Sequence, residues 1–447
     1  MSDTRLECAP PLLAVPAGFD PEQMLPARLR RRADDARWFL HTIVTKTAHG
    51  ETDERGYVRL HSRILRRIMS RRAQPAVVQS LVDAGVIDLP AGYFAGVKAK
   101  GYRLTEQTLG QRCKLVELRD RQLIKRLERE RERLQREESS CWLPIHHQLA
   151  ESQKCLTILP AADAILDGLA VKAQLCQRVL TEDIRRAELK FSVCGTGRCF
   201  NGLTGLKRDL RKTIRLAGEA IDGADIRCAQ PTLLAGLIRL GNSQNVPTYM
   251  STLLACLSRL PPARRSRSGL SGLLTALSSS NGAQIFAAAD FALFESAALL
   301  GTLYDRLAVD CLAAGVALPD DPYKVRERVK LLLMRDVLAK RGQYPSPFEQ
   351  VFRRAFPTVH RFIRRINRAD HGELIRTLQR LESWLVVENV APRLVGRFPI
   401  VTLHDAIYAR TGDLTMVVDA FAETFDELGL RMKVKAESTE AGKEKSR

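Results

Sequence analysis

Near the end of the chain, two apolar, β-rich runs flank a single polar pair: Phe398-Pro-Ile-Val-Thr-Leu403, then His404-Asp405, then Ala406-Ile-Tyr-Ala409. Branched and aromatic side chains suit pleated, half-buried backbone, and two such runs around two polar residues predict a hairpin with the pair at its turn. The next thirty residues are equally patterned. Asp413 is placed to cap a helix through Val417, Phe421, Phe425 and Leu428, closed by Gly429, and a final strand is expected over Leu430 to Val434.

A second acidic turn lies upstream, in Ile221-Asp-Gly-Ala-Asp225-Ile-Arg-Cys-Ala-Gln230-Pro231. A short strand is expected to end near Asp225, and Pro231 suits the start of a helix carrying Leu233, Leu234 and Leu237. A carboxylate at a strand end can be aimed at a metal ion by a rigid sheet. The plainer alternative is a turn former, which Asp is in many chains. Between these sites, Lys324-Val-Arg326-Glu-Arg-Val-Lys330-Leu-Leu-Leu-Met334 reads as a helix with Arg326 and Lys330 four apart on one face. Charges so spaced can grip a triphosphate, and a lysine ammonium can supply a proton or charge to pyrophosphate; taken alone, the segment equally reads as a solvated basic face.

The chain has 447 residues, enough for two or three domains, and a hydrophobic content of 45% that fits a folded protein. The longest apolar region, Phe286 to Tyr304, is interrupted by Asp290 and Glu295, so no membrane span is expected. No basic segment leads into an apolar run at the N-terminus, and the ten cysteines fall in no zinc-ligand spacing, so reduced thiols in a cytoplasmic, nucleoid-associated protein are expected. The formal charge of +19 comes from 70 basic against 51 acidic residues, with arginine clusters at 28–32, 66–67, 71–72, 264–267 and 353–368. Such an excess favours a polyanionic partner, because neutralising phosphates releases counterions.

Residues 1–31 read as irregular. Residues 32–105 read as three helices, through Trp38 to Val44, Leu60 to Ile68 and Pro75 to Val82, followed by short strands at Val86-Ile87, Tyr93-Phe94 and Tyr102 to Leu104. Lys98 and Lys100 fall at the tip of that basic hairpin, which is the pattern of a winged helix-turn-helix; DNA is the favoured partner of such a domain here, and a protein contact is the alternative. Residues 106–190 are expected to be a helical linker or thumb-like region, beginning with a charged spacer helix from Leu115 to Glu138. Residues 191–437 carry the chemistry, with a Ser-, Pro- and Arg-rich insertion at 241–281, and 438–447 read as a frayed tail.

Strand, hairpin, helix and strand resemble the palm of a nucleotide polymerase, in which two aspartates from different strands hold two Mg²⁺ ions, with Mn²⁺ as the alternative. Taken together, the motifs resemble the family A DNA polymerases and the single-subunit phage RNA polymerases. Asp225 looks like motif A, Arg326-x3-Lys330-x3-Met334 like motif B and His404-Asp405 like motif C, and Thr196-Gly197-Arg198 is similar to the Thr-Gly-Arg motif whose arginine touches the primer–template duplex. The similarity continues through a leucine-and-arginine pattern from Leu206 to Arg211. A closer resemblance is to the transposon–virus polymerases, which combine an N-terminal helix-turn-helix with Asp-Ile-x-x-x-Gln-Pro, as at Asp225 to Pro231, and Leu-Gln-x-x-Glu-Ser, as at Leu378-Gln379-Arg-Leu-Glu382-Ser383.

The resemblance implies a mostly helical α/β (α+β) chain, with a right-hand polymerase palm and helical fingers behind a winged helix-turn-helix. It implies a DNA primer–template and nucleoside triphosphates as partners. Asp225 and Asp405 would bind metal, Arg326, Lys330, Gln230 and Met334 the nucleotide, and His404 would steady the primer end. Arg198, Thr196, Arg211, Gln379, Lys98 and Lys100 would meet nucleic acid. The chain departs from the family at Leu338-Ala339, where an aromatic-glycine pair usually closes motif B, and at Ala406, where DNA polymerases carry Glu and RNA polymerases Ser. Gln230 stands where the DNA enzymes place the glutamate that packs under the sugar, which favours deoxynucleotides. The alternatives are a non-catalytic DNA-binding replication or regulatory protein, and an RNA-synthesising or template-independent polymerase.

Overall fold

The structure is a computed structural model that describes residues 11–70, 72–90, 99–240, 288–342 and 344–438. Lys98, the Tyr93-Phe94 strand and the 241–281 insertion lie outside the described residues. The chain is mixed α and β, mostly helical, and its sheets are antiparallel. It divides into two compact units, and no described helix is long and apolar enough to cross a membrane.

The first unit takes its described residues from Met1–Trp142, Lys154–Lys190 and Asn201–Gly218. Its main helix, Ala33–Ala48, buries Phe39, Leu40, Ile43 and Val44, and the Phe39 ring meets Tyr102 edge-on at 5.0 Å between centroids. Helices Ser62–Ile68 and Gln74–Asp83 come next, and strands Val58–Leu60, Lys100–Leu104 and Ile87–Asp88 form a three-stranded sheet in that order. Leu60, expected on a helix face, pairs instead with Lys100 on a strand; the helix begins only after His61, whose ring caps it by accepting from the Arg63 N–H.

Two further expectations change here. The segment read as irregular holds a strand, Leu12–Pro16, whose partner is Cys113–Glu117. The charged spacer is therefore strand first, then helix Arg121–Ser139, with the break at Asp120, whose carboxylate accepts from the Gln122 and Leu123 N–H groups. Composition cannot reveal a strand that exists only because a distant segment pairs with it.

The second unit comprises described residues from Leu143–Gln153, Phe191–Phe200 and Glu219–Arg447. Its central strand, Glu219–Ile226, pairs on one edge with Ala406–Arg410 and on the other with Val434–Ser438; Val401–Leu403 completes the hairpin with Ala406–Arg410. Because side chains alternate along a strand, Ala224 and Ile226 share one face with Ile407 and Ala409, and this face is covered by Val417, Phe421 and Phe425 of helix Leu414–Glu427. Asp222 also faces the core, whereas Asp225 and Gly223 face the other way. The terminal strand lies at Val434–Ser438 rather than Leu430–Val434, because the backbone from Leu430 to Lys433 is irregular. Asp413 begins the covering helix, but its carboxylate accepts from Arg410 instead of capping the backbone.

Helices Ala229–Leu240, Ala289–Leu300, Leu303–Ala313, Pro322–Leu332, Pro347–Ala355, Pro357–Ile366 and Glu373–Ser383 pack around a core rich in Phe and Leu, including Phe294, Phe352 and Phe356 in edge-to-face and tilted contacts.

Candidate active site

The strand register brings the two aspartates together. Asp225 stands opposite Ala406, and the Ile226 N–H donates to the Asp405 carbonyl at 3.2 Å. The Asp405 carboxyl lies within interaction distance of the Asp225 carboxyl. The Asp225 carboxyl is pushed up to about 8, first by burial, then by the Asp405 charge and a side-chain hydrogen bond with it, then by Glu437. The Lys330 ammonium pulls the other way. Glu437 reaches this face because it pairs with Gly223, two residues from Asp225, and it accepts from Lys435 at 2.6 Å.

Gly223 has a packing reason. A Cβ there would stand 2.9 Å from the ring of Tyr408, its cross-strand neighbour, so Tyr408 can lie across the strand only because that position carries no side chain.

The hairpin turn holds His404 and Asp405, as the apolar runs predict. His404 has φ 57°, at a two-residue turn position that glycine more often fills. Holding a residue with a side chain there costs about 1–3 kcal/mol, which the surrounding sheet must supply. The ring lies 6.3 Å from Phe200 in T-shaped contact.

A buried carboxylate joins the site from helix Glu373–Ser383. Glu382 accepts from Arg198 Nε at 2.8 Å and Nη2 at 2.5 Å, and from Gln230 Nε2. Burial and the Asp405 charge push it up to about 7 against the pull of Arg198. The bond to Glu382 sets the orientation of the Gln230 amide, leaving Oε1 buried without a hydrogen-bond partner among the described residues.

Several expected ligand residues are engaged elsewhere in the protein. Arg326 donates to Asp305 at 2.5 Å and to the Gly301 carbonyl at 2.9 Å, with its guanidinium 5.4 Å from the Tyr304 ring centroid, so it is not free to meet a phosphate in this arrangement. Arg198 is likewise committed, to Glu382. Thr196 is bonded to Cys194 at 3.1 Å, in the turn where Gly197 takes φ 82°. Lys330 is exposed on helix Pro322–Leu332, Met334 and Gln379 are half-buried, and Leu338 is buried. Arg211 and Lys100 belong to the first unit, where Arg211 donates to the Leu206 carbonyl and Lys100 lies 6.0 Å from the Tyr102 ring centroid.

Sequence reasoning misses Glu382 and Glu437 as site residues. Glu382 lies in a helical motif that gives no hint of its burial, and Glu437 is hidden when the last strand is expected to end at Val434.

Among the described residues no group of three or more His, Cys, Asp or Glu side chains forms a metal-binding cluster. The Asp225–Asp405 pair nevertheless fits a hard divalent cation: two adjacent carboxyl groups supply oxygen donors, and a cation between them would offset the burial and like charge that disfavour ionisation of Asp225. Mg²⁺ is commonly bound by one or two carboxylates together with water and substrate phosphates. A separate cavity of about 230 Å³, lined by Leu233, Leu237, Leu385 and Met432 among others, includes none of Asp225, Asp405 and Lys330 in its wall. Compared with protein-family models and with curated proteins, the chain matches none.

Proposed function

We propose that the second unit is a nucleotidyltransferase of the polymerase type, a template-dependent DNA polymerase built on a palm-like sheet with helical fingers. The observation that carries this reading is the Asp225–Asp405 pair, two carboxyl groups brought together by a strand and the adjacent hairpin turn, with the exposed Lys330 close enough to influence it. Structural ion pairs join opposite charges; two acids forced together on a sheet face are a poor way to stabilise a fold and a good way to attract a divalent cation. Mg²⁺ bound by these carboxylates would activate a primer 3′-hydroxyl and neutralise the leaving pyrophosphate. Lys330 would attract the triphosphate. Arg326 would join it after exchanging Asp305 for phosphate, and His404 would steady the primer end.

The order of Arg198, Asp225, Lys330 and Asp405 supports kinship with the transposon–virus branch of the family A DNA polymerases and phage RNA polymerases. The three helices and three-stranded sheet of the first unit support a winged helix-turn-helix. The charge of +19 supports nucleic acid as partner.

The test is extension of a labelled primer on a DNA template by the full chain, with Mg²⁺ or Mn²⁺ and either deoxy- or ribonucleoside triphosphates. Asp405→Ala is expected to lower extension by at least about 10²–10³-fold while retaining DNA binding. Undiminished extension by this variant would end the assignment. Incorporation of ribonucleotides alone would make the enzyme RNA-synthesising, and tight DNA binding without incorporation under any condition would favour a regulatory protein.

A further inference from the structure

Several arginines of the second unit have carboxylate partners. Arg326, Arg335, Arg376, Arg380, Arg393 and Arg410 each form an ion pair. The helices Pro347–Ala355 and Pro357–Ile366 concentrate arginines outside such pairs. Arg353, Arg354, Arg361, Arg364 and Arg368 are all exposed, and none has a carboxylate partner among the described residues. No acidic residue occurs from Gln350 to Ala369. The nearest acids are engaged: Glu349 is buried with Lys340 and His360, Asp370 binds Arg376, and Asp290 accepts from the Thr358 N–H.

The opposite face of the same helices explains why the arginines stay outside. Phe348, Val351, Phe352, Val359, Phe362, Ile363 and Ile366 are buried in the core, which fixes both helices and turns their basic stripes outward. Arg361 and Arg364 are three apart on one helix face, and Arg368 lies just past the helix end. An interaction with the helix dipole accounts for one or two cations near a C-terminus. It accounts for Arg353, Arg354 and Arg364 in the last turns of their two helices, and leaves Arg361, and Arg368 beyond the helix end, without a local counter-charge. Guanidinium groups suit phosphate, which they can grip through two parallel hydrogen bonds.

We propose that this arginine face is a docking surface for the phosphate backbone of a DNA strand bound by the second unit. The proposal rests on the DNA-polymerase reading for the identity of the polyanion, and it assigns a contact surface outside the Asp225–Asp405 site.

The experiment uses the full chain without nucleotide or metal, so that it does not depend on catalysis. Binding to fluorescent single-stranded DNA is followed by anisotropy across a salt series, for the wild type and for R361A/R364A/R368A. The slope of log affinity against log salt is expected to become shallower by about 2, three contacts at about 0.7 each. The corresponding triple lysine variant should recover most of the slope, and an unchanged melting temperature would exclude misfolding. An unaltered slope in a folded triple alanine variant overturns the docking surface, even if the wild type extends primers. Loss of binding to phosphatidylserine vesicles with DNA binding intact also overturns it. A wild type that extends primers in a manner abolished by Asp405→Ala, but whose DNA affinity ignores salt, sinks this surface and leaves the polymerase reading standing.

Discussion

Asp225 near the end of the central strand meets Asp405 in the neighbouring hairpin turn, and the Asp225 carboxyl is held well above its ordinary range. Burial and like-charge repulsion cause the shift. The arrangement is strained electrostatically whenever both groups ionise, and a bound cation or a retained proton relieves it.

Stability should therefore depend on pH and on divalent metal. The folded-state value of about 8 lies above the ordinary value of 3.8, so the folded protein retains a proton that the unfolded chain has lost. The contribution is full below the unfolded value and disappears as pH rises through about 8. The melting temperature of the metal-free protein should fall across that window, and Mg²⁺ or Mn²⁺ should restore it most strongly at alkaline pH. Asp225→Asn should flatten both responses. Differential scanning calorimetry with and without chelator checks this; a metal-independent profile in the wild type would refute it.

Glu382 should matter more through its charge and acceptors than through its bulk. Glu382→Ala leaves Arg198 and Gln230 without their shared acceptor, and breaking one side of a buried ion pair costs about 3 kcal/mol. Glu382→Gln keeps one acceptor oxygen and should cost about 1 kcal/mol. Urea denaturation of both variants measures the difference, and equal losses would mean that only volume counts.

His404→Gly should separate stability from activity. Relief of the positive-φ turn is worth about 1 kcal/mol, so the variant should melt higher. Primer extension should fall, because the ring that borders Phe200 is gone. A destabilised variant would show that the ring contacts outweigh the backbone strain.

Gly223→Ala should destabilise by about 1–3 kcal/mol, since the added methyl meets the Tyr408 ring. Combining it with Tyr408→Leu should recover part of that loss. A double-mutant cycle measures the coupling, and a coupling near zero would place the cost elsewhere.

The sequence on its own marks the elements whose cause is local. The hairpin at 401–410 is legible because two apolar runs can face a core only if the polar pair between them turns. The helix beginning at Ala229 and the helix ending before Gly429 announce themselves through apolar spacing, Pro231 and that glycine. Elements that depend on remote partners are not legible in this way. Leu12–Pro16 is a strand because Cys113–Glu117 lies beside it, and Val434–Ser438 takes its position from the edge of the central strand.

The same division runs through the site. Sequence alone determined which residue types were available for the chemistry: two aspartates at strand ends, a lysine on a helix and an arginine in a glycine turn. Tertiary structure decided which of them meet. Cross-strand register, which no local pattern encodes, joined Asp225 to Asp405, and packing of the Glu373–Ser383 helix placed Glu382 between Arg198 and Gln230. It also drew Arg326 to Asp305. The physical reason is range: propensity and periodicity act within a few residues, whereas burial, charge coupling and strand pairing act between segments that only the fold makes neighbours.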